Sequence, residues 1–165
     1  VSEKKRPAAG GTPATVVVTK AKIEFELHPY EADPAADSYG QAAADALGVP
    51  YEQIFKTLLA EVDGRLTVAV VPVAGQLDLK ALASAVGGKK AQMADPATAE
   101  RTTGYVLGGI SPLGQRKRLP TVIDESASAL PTIFVSAGRR GLQIELSPAD
   151  LIALTGAMTA GIGRS

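Results

Sequence analysis

Helix and strand signals that mix without a strict β-α-β alternation predict an α+β fold with a curved, largely antiparallel sheet. Asp63-Gly64 divides an apolar, β-branched stretch at 55–62 from a second at 65–72, the strongest short-range hairpin signal there is. Caps followed by proline, at Thr12-Pro13, Asp95-Pro96 and Ser147-Pro148, start helices at irregular intervals between the strands. The 165 residues fit one ordinary domain, and no internal repeat or second domain is visible.

Residues 1–11 are charged and then Pro/Ala/Gly-rich, and read as a disordered leader outside the fold. The spacing predicts a helix over 13–21, despite the poor helix formers Val16, Val17 and Val18. Ile23, Phe25 and Leu27 alternate with Glu24 and Glu26 as a half-buried strand that delivers His28-Pro29-Tyr30 to a loop. Ser38 and Gln41 form a capping box for a helix from Tyr39 to Leu47, closed by Gly48 in the left-handed region, and Pro50 begins one more turn. Lys56 then stands near the start of the first hairpin strand.

Asp78 caps a helix through Val86, and Lys89 to Met93 is a short strand candidate. Asp95-Pro96 opens a helix ending near Gly104. The stretch 104–114 holds too much glycine for an element interior and too much apolar character for a disordered linker, so it reads as an ordered functional loop. Strands follow at Thr121 to Asp124, Thr132 to Ser136 and Leu142 to Leu146, the last two joined by a turn over 137–141. Ser147-Pro148 with Asp150 caps a final helix to about Leu154.

Composition narrows the chemistry. With 17 Lys+Arg against 17 Asp+Glu, the chain does not coat nucleic acid through bulk charge, so any RNA contact is local. Cysteine is absent and histidine occurs once, which removes disulfides, a cysteine nucleophile and thiolate or histidine-rich metal sites. No cofactor or metal is expected. No apolar run approaches a membrane span, and the first residues lack the apolar stretch of a secretion signal, so the expected location is the cytoplasm, with no membrane partner. Aromatic residues make up only 4% and tryptophan is missing, against a binder built from stacking platforms.

Lys56 lies among apolar and hydroxyl neighbours, where a lysine without a task is unusual; the competing reading is the solvent face of a strand between inward Phe55 and Thr57. Gly108-Gly109-Ile110-Ser111-Pro112 can bring bare backbone N–H groups against a carbonyl or phosphate, or be an ordinary tight turn. Arg116-Lys117-Arg118 directly follows that loop and can hold a nucleic-acid backbone, or be a solvated surface run. Lys89-Lys90 and Arg139-Arg140 are weaker forms of the same idea. His28 has no obvious orienting partner, so no Ser-His-Asp set is assigned.

These words taken in order resemble one family. Tyr30 after His28-Pro29, Phe55-Lys56-Thr57-Leu58, the run from Val70 to Lys80, Lys89-Lys90, Met93-Ala94, the run from Ala99 to Tyr105 and the run from Gly108 to Gln115 are similar to the YbaK/EbsC aminoacyl-tRNA deacylases, from about Thr12 to the last helix. The resemblance implies a single domain over 12–165 with a strongly curved, mixed, barrel-like sheet surrounded by helices. It also implies kinship with the editing domain of prolyl-tRNA synthetases and removal of cysteine misplaced on proline tRNA. Editing of this kind has a physical root, since one methylene in an apolar pocket is worth only ~1–3 kcal/mol of discrimination.

By the same resemblance, Lys56 matches the family's essential lysine, which holds the 3′-terminal nucleotide through its phosphate, and Gly108 places its backbone near the scissile ester. Gly109, Ile110, Ser111 and Pro112 complete that loop; Tyr30, Ser136 and Gln143 match substrate-binding positions, and Arg116, Lys117 and Arg118 are the expected tRNA contacts. Many relatives carry aspartate where this chain has Gln143, an amide that donates as well as accepts. The implied partners are proline tRNA charged with cysteine and a prolyl-tRNA synthetase. The cysteinyl substrate brings its own thiol, so the expected route is attack of that thiol on its own ester, with direct water attack as the runner-up. The alternatives are an editing deacylase for alanine or serine, and a non-catalytic module that binds tRNA or a synthetase.

Overall fold

A threonine ahead of a proline starts the first helix. In the computed structural model, which describes residues 11–33, 35 and 38–165, Thr12 caps α1 (Pro13–Ala21): the Thr12 hydroxyl accepts from Thr15 N–H and the Thr15 hydroxyl accepts from Thr12 N–H. The Thr12 hydroxyl also donates to the Ala137 carbonyl, pinning α1 to a distant strand. Apart from Gly11, the proposed leader at 1–11 lies outside the described residues.

The chain continues as β1 (Phe25–Pro29), α2 (Tyr39–Leu47), β2 (Phe55–Val62), β3 (Arg65–Pro72), β4 (Gln76–Leu77), α3 (Leu79–Ala85), β5 (Ala91–Met93) and α4 (Pro96–Thr103). After the glycine-rich loop come β6 (Thr121–Asp124), a 3₁₀ turn (Glu125–Ala129), β7 (Ile133–Arg139), β8 (Leu142–Leu146), α5 (Pro148–Thr155), β9 (Met158–Ala160) and β10 (Gly163–Arg164). The β2–β3 hairpin turns on Asp63 and Gly64, both with positive φ (51° and 83°), as a two-residue turn that follows the twist of its strands demands.

Several boundaries differ from expectation, each for a visible reason. β1 begins at Phe25, where pairing with Leu146 begins, and not at Ile23. β5 begins at Ala91 because the N–H groups of Lys89 and Lys90 donate instead to the Asp63 carboxylate, both at 3.0 Å. The capping box at Ser38 is half formed: Ser38 Oγ accepts from Gln41 N–H at 3.2 Å, but the Gln41 side chain donates to the Val73 carbonyl where α2 rests on the end of β3. β7 runs on to Arg139 through part of the expected turn, by way of a bulge between Ser136 and Arg139.

Among the described residues the strands form three sheets and no closed barrel, which corrects the barrel-like expectation. One sheet is antiparallel, in the order β1-β8-β7; the second runs β5-β2-β3-β6-β9, with β3–β6 and β6–β9 parallel; β4 and β10 pair alone. The two larger sheets share one parallel bridge, between Ile54 and Phe134, where Phe134 N–H donates to the Gln53 carbonyl at 3.0 Å. Past that bridge β7 keeps its ladder with β8 and β2 keeps its ladder with β3, so the sheets part instead of closing.

Alternation along β2 and β3 gives each face its own core. Phe55, Leu59, Val68 and Val70 pack with Val135 and Ile144 of the smaller sheet. Val71 and Val62 on the opposite face pack with Leu82 and Ile162, while Ala43 and Ala44 of α2 cover Ile54 and Phe134 at the bridge. Beyond Leu154, β9 and β10 are elements that the sequence pattern does not announce. Their anchor is Asp124, 7% exposed, whose carboxylate accepts from Ile162 N–H at 3.0 Å, Gly163 N–H at 2.7 Å and Ser126 Oγ–H at 2.6 Å. Among the described residues no helix is long and apolar enough to cross a membrane.

Candidate active site

The parting of β2 from β7 creates the site. Val73 N–H donates to the Ile54 carbonyl at 2.9 Å, so along β2 the backbone groups of Ile54, Lys56 and Leu58 face β3, and those of Phe55, Thr57 and Leu59 face the other edge. On that edge the Leu59 carbonyl accepts from Ala94 N–H at 3.0 Å, and β5 covers only Ala60–Val62. Phe55 N–H lies at the Phe134 bridge. The Phe55 carbonyl and the Thr57 N–H and carbonyl are left without a strand partner among the described residues.

A cavity of about 200 Å³ fills this fork. Lys56 and Thr57 of β2, Ser136 of β7 and Gln143 of β8 wall it; Tyr39 and Gly40 of α2 and Leu107, Gly108 and Ile110 of the glycine-rich loop close it, with Tyr30 at one side. Six residues singled out in the sequence thus meet here: Lys56, Gly108, Ile110, Tyr30, Ser136 and Gln143. Lys56 is half-buried and makes no ion pair among the described residues. Burial pushes its ammonium below the ordinary lysine range. The structure therefore does not support a freely solvated strand lysine.

Three other members of the loop do not line the cavity. Ser111 is fully buried; its hydroxyl accepts from Leu113 N–H at 3.2 Å and its carbonyl from the Gln115 side chain at 2.9 Å. Gly109 allows the loop to lie backbone to backbone on the β7–β8 turn, since a Cβ there would stand 2.8 Å from Arg139 Cα. Pro112 borders a separate hollow of about 270 Å³ with Lys117 and Arg118. Tyr105 ties the loop's ends together by donating to the Leu113 carbonyl at 2.6 Å, and burial pushes its phenol up to about 12.

The basic run is likewise apart from the cavity. Arg116 packs over Gly104 at the end of α4, and Arg118 approaches Gly156 at the end of α5, so closeness in sequence to the loop does not bring these cations to Lys56. His28 does have orienting partners: its Nε2 is 2.9 Å from Glu145 Oε1 and 3.6 Å from Glu26, and its ring packs on Phe134 at 4.9 Å. The donor atoms of Glu26, His28 and Glu145 lie within 4.8 Å of one another. Glu145 also accepts from the Thr132 hydroxyl at 2.6 Å, so hydrogen bonds account for the cluster.

Sequence reasoning missed Tyr39, Thr57 and the role of Arg140. The Arg140 guanidinium lies 4.3 Å over the Tyr39 ring centroid, and its Nε donates to the Leu107 carbonyl at 2.9 Å. Gly108, at φ +85°, sits beneath: a Cβ there would stand 2.5 Å from Arg140 Nε and 2.9 Å from Tyr39 Cδ2. Two polar atoms of the wall, Gln143 Oε1 and Thr57 Oγ1, are buried without a hydrogen-bond partner among the described residues, and Gln143 is only 6% exposed.

A half-buried cation, a close-packed glycine turn and unmatched polar atoms around one small cavity suit the binding of an anionic ligand with polar groups of its own. The aminoacyl-tRNA editing domain pattern matches residues 33–154. A protein of Enterococcus faecalis named "Putative Cys-tRNA(Pro)/Cys-tRNA(Cys) deacylase EbsC" is 45% identical over 125 residues, 74% of this chain and 75% of that one. The "Multifunctional Ser/Thr-tRNA deacylase ProXp-y" of Escherichia coli is 29% identical over 141 residues, 82% of each chain. The crystal structure of "a putative trans-editing enzyme for prolyl tRNA synthetase" superposes with a TM-score of 0.78 at 25% identity, covering 100% of this chain and 99% of that one. The chain belongs to the aminoacyl-tRNA editing domain family, as a deacylase of the YbaK/EbsC type.

Proposed function

We propose that this chain clears cysteine from proline tRNA in trans. The observation that carries the proposal is the meeting of Lys56 and Gly108 at one small cavity whose remaining wall is polar. Lys56, a point charge on a flexible stem, holds the phosphate of the 3′-terminal nucleotide, and the Gly108 turn brings backbone to the ester. The similarity to the Enterococcus faecalis deacylase supports cysteine as the amino acid, and the similarity to a trans-editing enzyme for prolyl-tRNA synthetase supports a link to that synthetase.

The substrate's own sulfur does the attacking. The thiolate bonds to the ester carbonyl carbon, the C–O bond to the terminal ribose breaks, and the proton that left sulfur ends on the released hydroxyl. Water then opens the cysteine thiolactone. The chain has no cysteine, and a free thiol with pKa ~8.5 is already a few per cent thiolate near neutral pH. Lys56 and Gly108 are therefore asked only to position the ester and favour its developing charge.

A second reading, removal of serine, is favoured by the 29% identity to the Ser/Thr-tRNA deacylase. Single-turnover release of cysteine and of serine from the same tRNA separates the two. Thiol attack makes cysteine release faster by roughly 100-fold or more, well above what one atom of pocket discrimination supplies, with thiolactone trapped before free cysteine. Equal rates without the cyclic product would sink the thiol route.

A further inference from the structure

The open edge of β2 has the hydrogen-bonding pattern of a strand awaiting one more residue. At the Ile54–Phe134 bridge, the residue on β7 is flanked by the Gln53 carbonyl and Phe55 N–H of β2. One step further along β2, the Phe55 carbonyl and Thr57 N–H repeat that acceptor-then-donor pair, and here no further bridge to β7 continues the ladder among the described residues. An amino acid esterified to a ribose carries the matching groups, an α-ammonium donor and a carbonyl acceptor, at the spacing of a single residue. Gln143 Oε1, buried in the wall of the same cavity and unpartnered among the described residues, is a second acceptor. A buried unmatched acceptor costs free energy in the empty protein and regains it when a ligand donates to it.

We propose that the aminoacyl group docks on this edge as one residue of a continued parallel ladder. Its α-ammonium donates to the Phe55 carbonyl and to Gln143 Oε1, and its ester carbonyl accepts from Thr57 N–H. The Thr57 hydroxyl, also buried and unpartnered, is left for a polar group on the amino acid's side chain. This arrangement rests on the deacylase reading above and adds to it: the enzyme reads the free amino group of its substrate as well as the side chain. Main-chain pairing suits an editing site, because it fixes the ester while leaving the side chain to be judged separately.

The test uses the intact chain and two charged tRNAs, one bearing cysteine and one bearing 3-mercaptopropionic acid, which keeps the thiol and ester and lacks only the amino group. Loss of a hydrogen bond to a charged group predicts a kcat/KM lower by roughly tenfold or more for the deaminated substrate. Q143M, which keeps the length of the side chain, is expected to lower the rate on cysteinyl-tRNA at least about fivefold more than on the deaminated substrate, narrowing that preference. Release of both acyl groups at the same rate by the unaltered protein overturns the docking arrangement and leaves the deacylase reading standing. A preference that Q143M does not narrow also overturns it. Failure to release cysteine from any tRNA would strike the deacylase reading itself.

Discussion

Two buried polar centres in this chain are built in opposite ways. Around Asp124 every oxygen is answered: backbone N–H groups of Ile162, Gly163 and Ser126 and the Ser126 hydroxyl all donate to one carboxylate. Burial by itself would raise the Asp124 carboxyl, but the bonds from Ser126, Gly163 and Ile162 outweigh it and hold the group below its ordinary range. At the fork between β2 and β7, by contrast, Thr57 Oγ1 and Gln143 Oε1 are buried with no hydrogen-bond partner among the described residues, and Lys56 lies half-buried beside them. A matched polar centre holds the fold, here by fastening β9 and β10 to β6. An unmatched one destabilises the empty protein and has a use only when something else supplies the missing groups.

That contrast predicts a double dissociation between activity and stability. Lys56→Ala removes the cation from the fork, and kcat/KM for deacylation is expected to fall at least about 100-fold, near 3 kcal/mol of transition-state stabilisation. The fold is expected to survive, since Lys56 gives up no ion pair among the described residues and its burial is a cost to the charged form. Single-turnover rates and a melting curve on the same sample decide it. A Lys56→Ala chain that unfolds would make the fork a structural centre like Asp124.

Asp124→Ala should do the reverse. Stranding the N–H groups of Ile162, Gly163 and Ser126 is expected to cost about 2 kcal/mol of stability, a drop of roughly 4–8 °C in Tm, with little change in kcat. The pH dependence follows from the direction of the shift. Because the folded state holds the Asp124 carboxyl below its unfolded value of 3.8, its contribution is fully present above that pH and is lost as pH falls through the depressed folded value. Acid unfolding of Asp124→Ala should therefore be shallower than that of the unaltered chain. Equal acid sensitivity would remove Asp124 from the clasp.

The two centres also differ in how far the sequence announces them. Local chemistry was readable: Thr12-Pro13, Asp63-Gly64, Asp95-Pro96 and Ser147-Pro148 each start the element that their caps and turns imply, because the deciding contacts lie within three or four residues. The clasp was not readable, since Met158–Ala160 is a short strand whose partner β6 lies more than thirty residues back, and nothing in its own pattern alternates. At the fork, the resemblance supplied Lys56, Gly108, Ser136 and Gln143, but not why they converge. That depends on one bridge between Ile54 and Phe134, and on the open backbone beyond it. The places of Thr57 and Arg140 at the cavity were hidden for the same reason: one depends on a register, the other on contacts with Tyr39 and Leu107 that sequence distance conceals.

The smallest expected effect concerns a third kind of polar region, cations that are neither matched like Asp124 nor enclosed like Lys56. Arg116, Lys117 and Arg118 are exposed; Arg116 packs over the end of α4, and the other two border the hollow beside α5. In water such charges attract a phosphate backbone at long range without fixing its geometry, so the effect expected of them is on binding and not on the chemical step. Each substitution by alanine is expected to weaken tRNA binding modestly and to lower the slope of log affinity against log salt by roughly one for each phosphate no longer neutralised. Single-turnover rates at saturating enzyme should change less than about twofold, since the fork is untouched. Stability should also stay within about 0.5 kcal/mol, as for exposed side chains in general. Salt titrations of binding for the three variants decide it: slopes identical to that of the unaltered chain would mean that the acceptor stem approaches the cavity from another side.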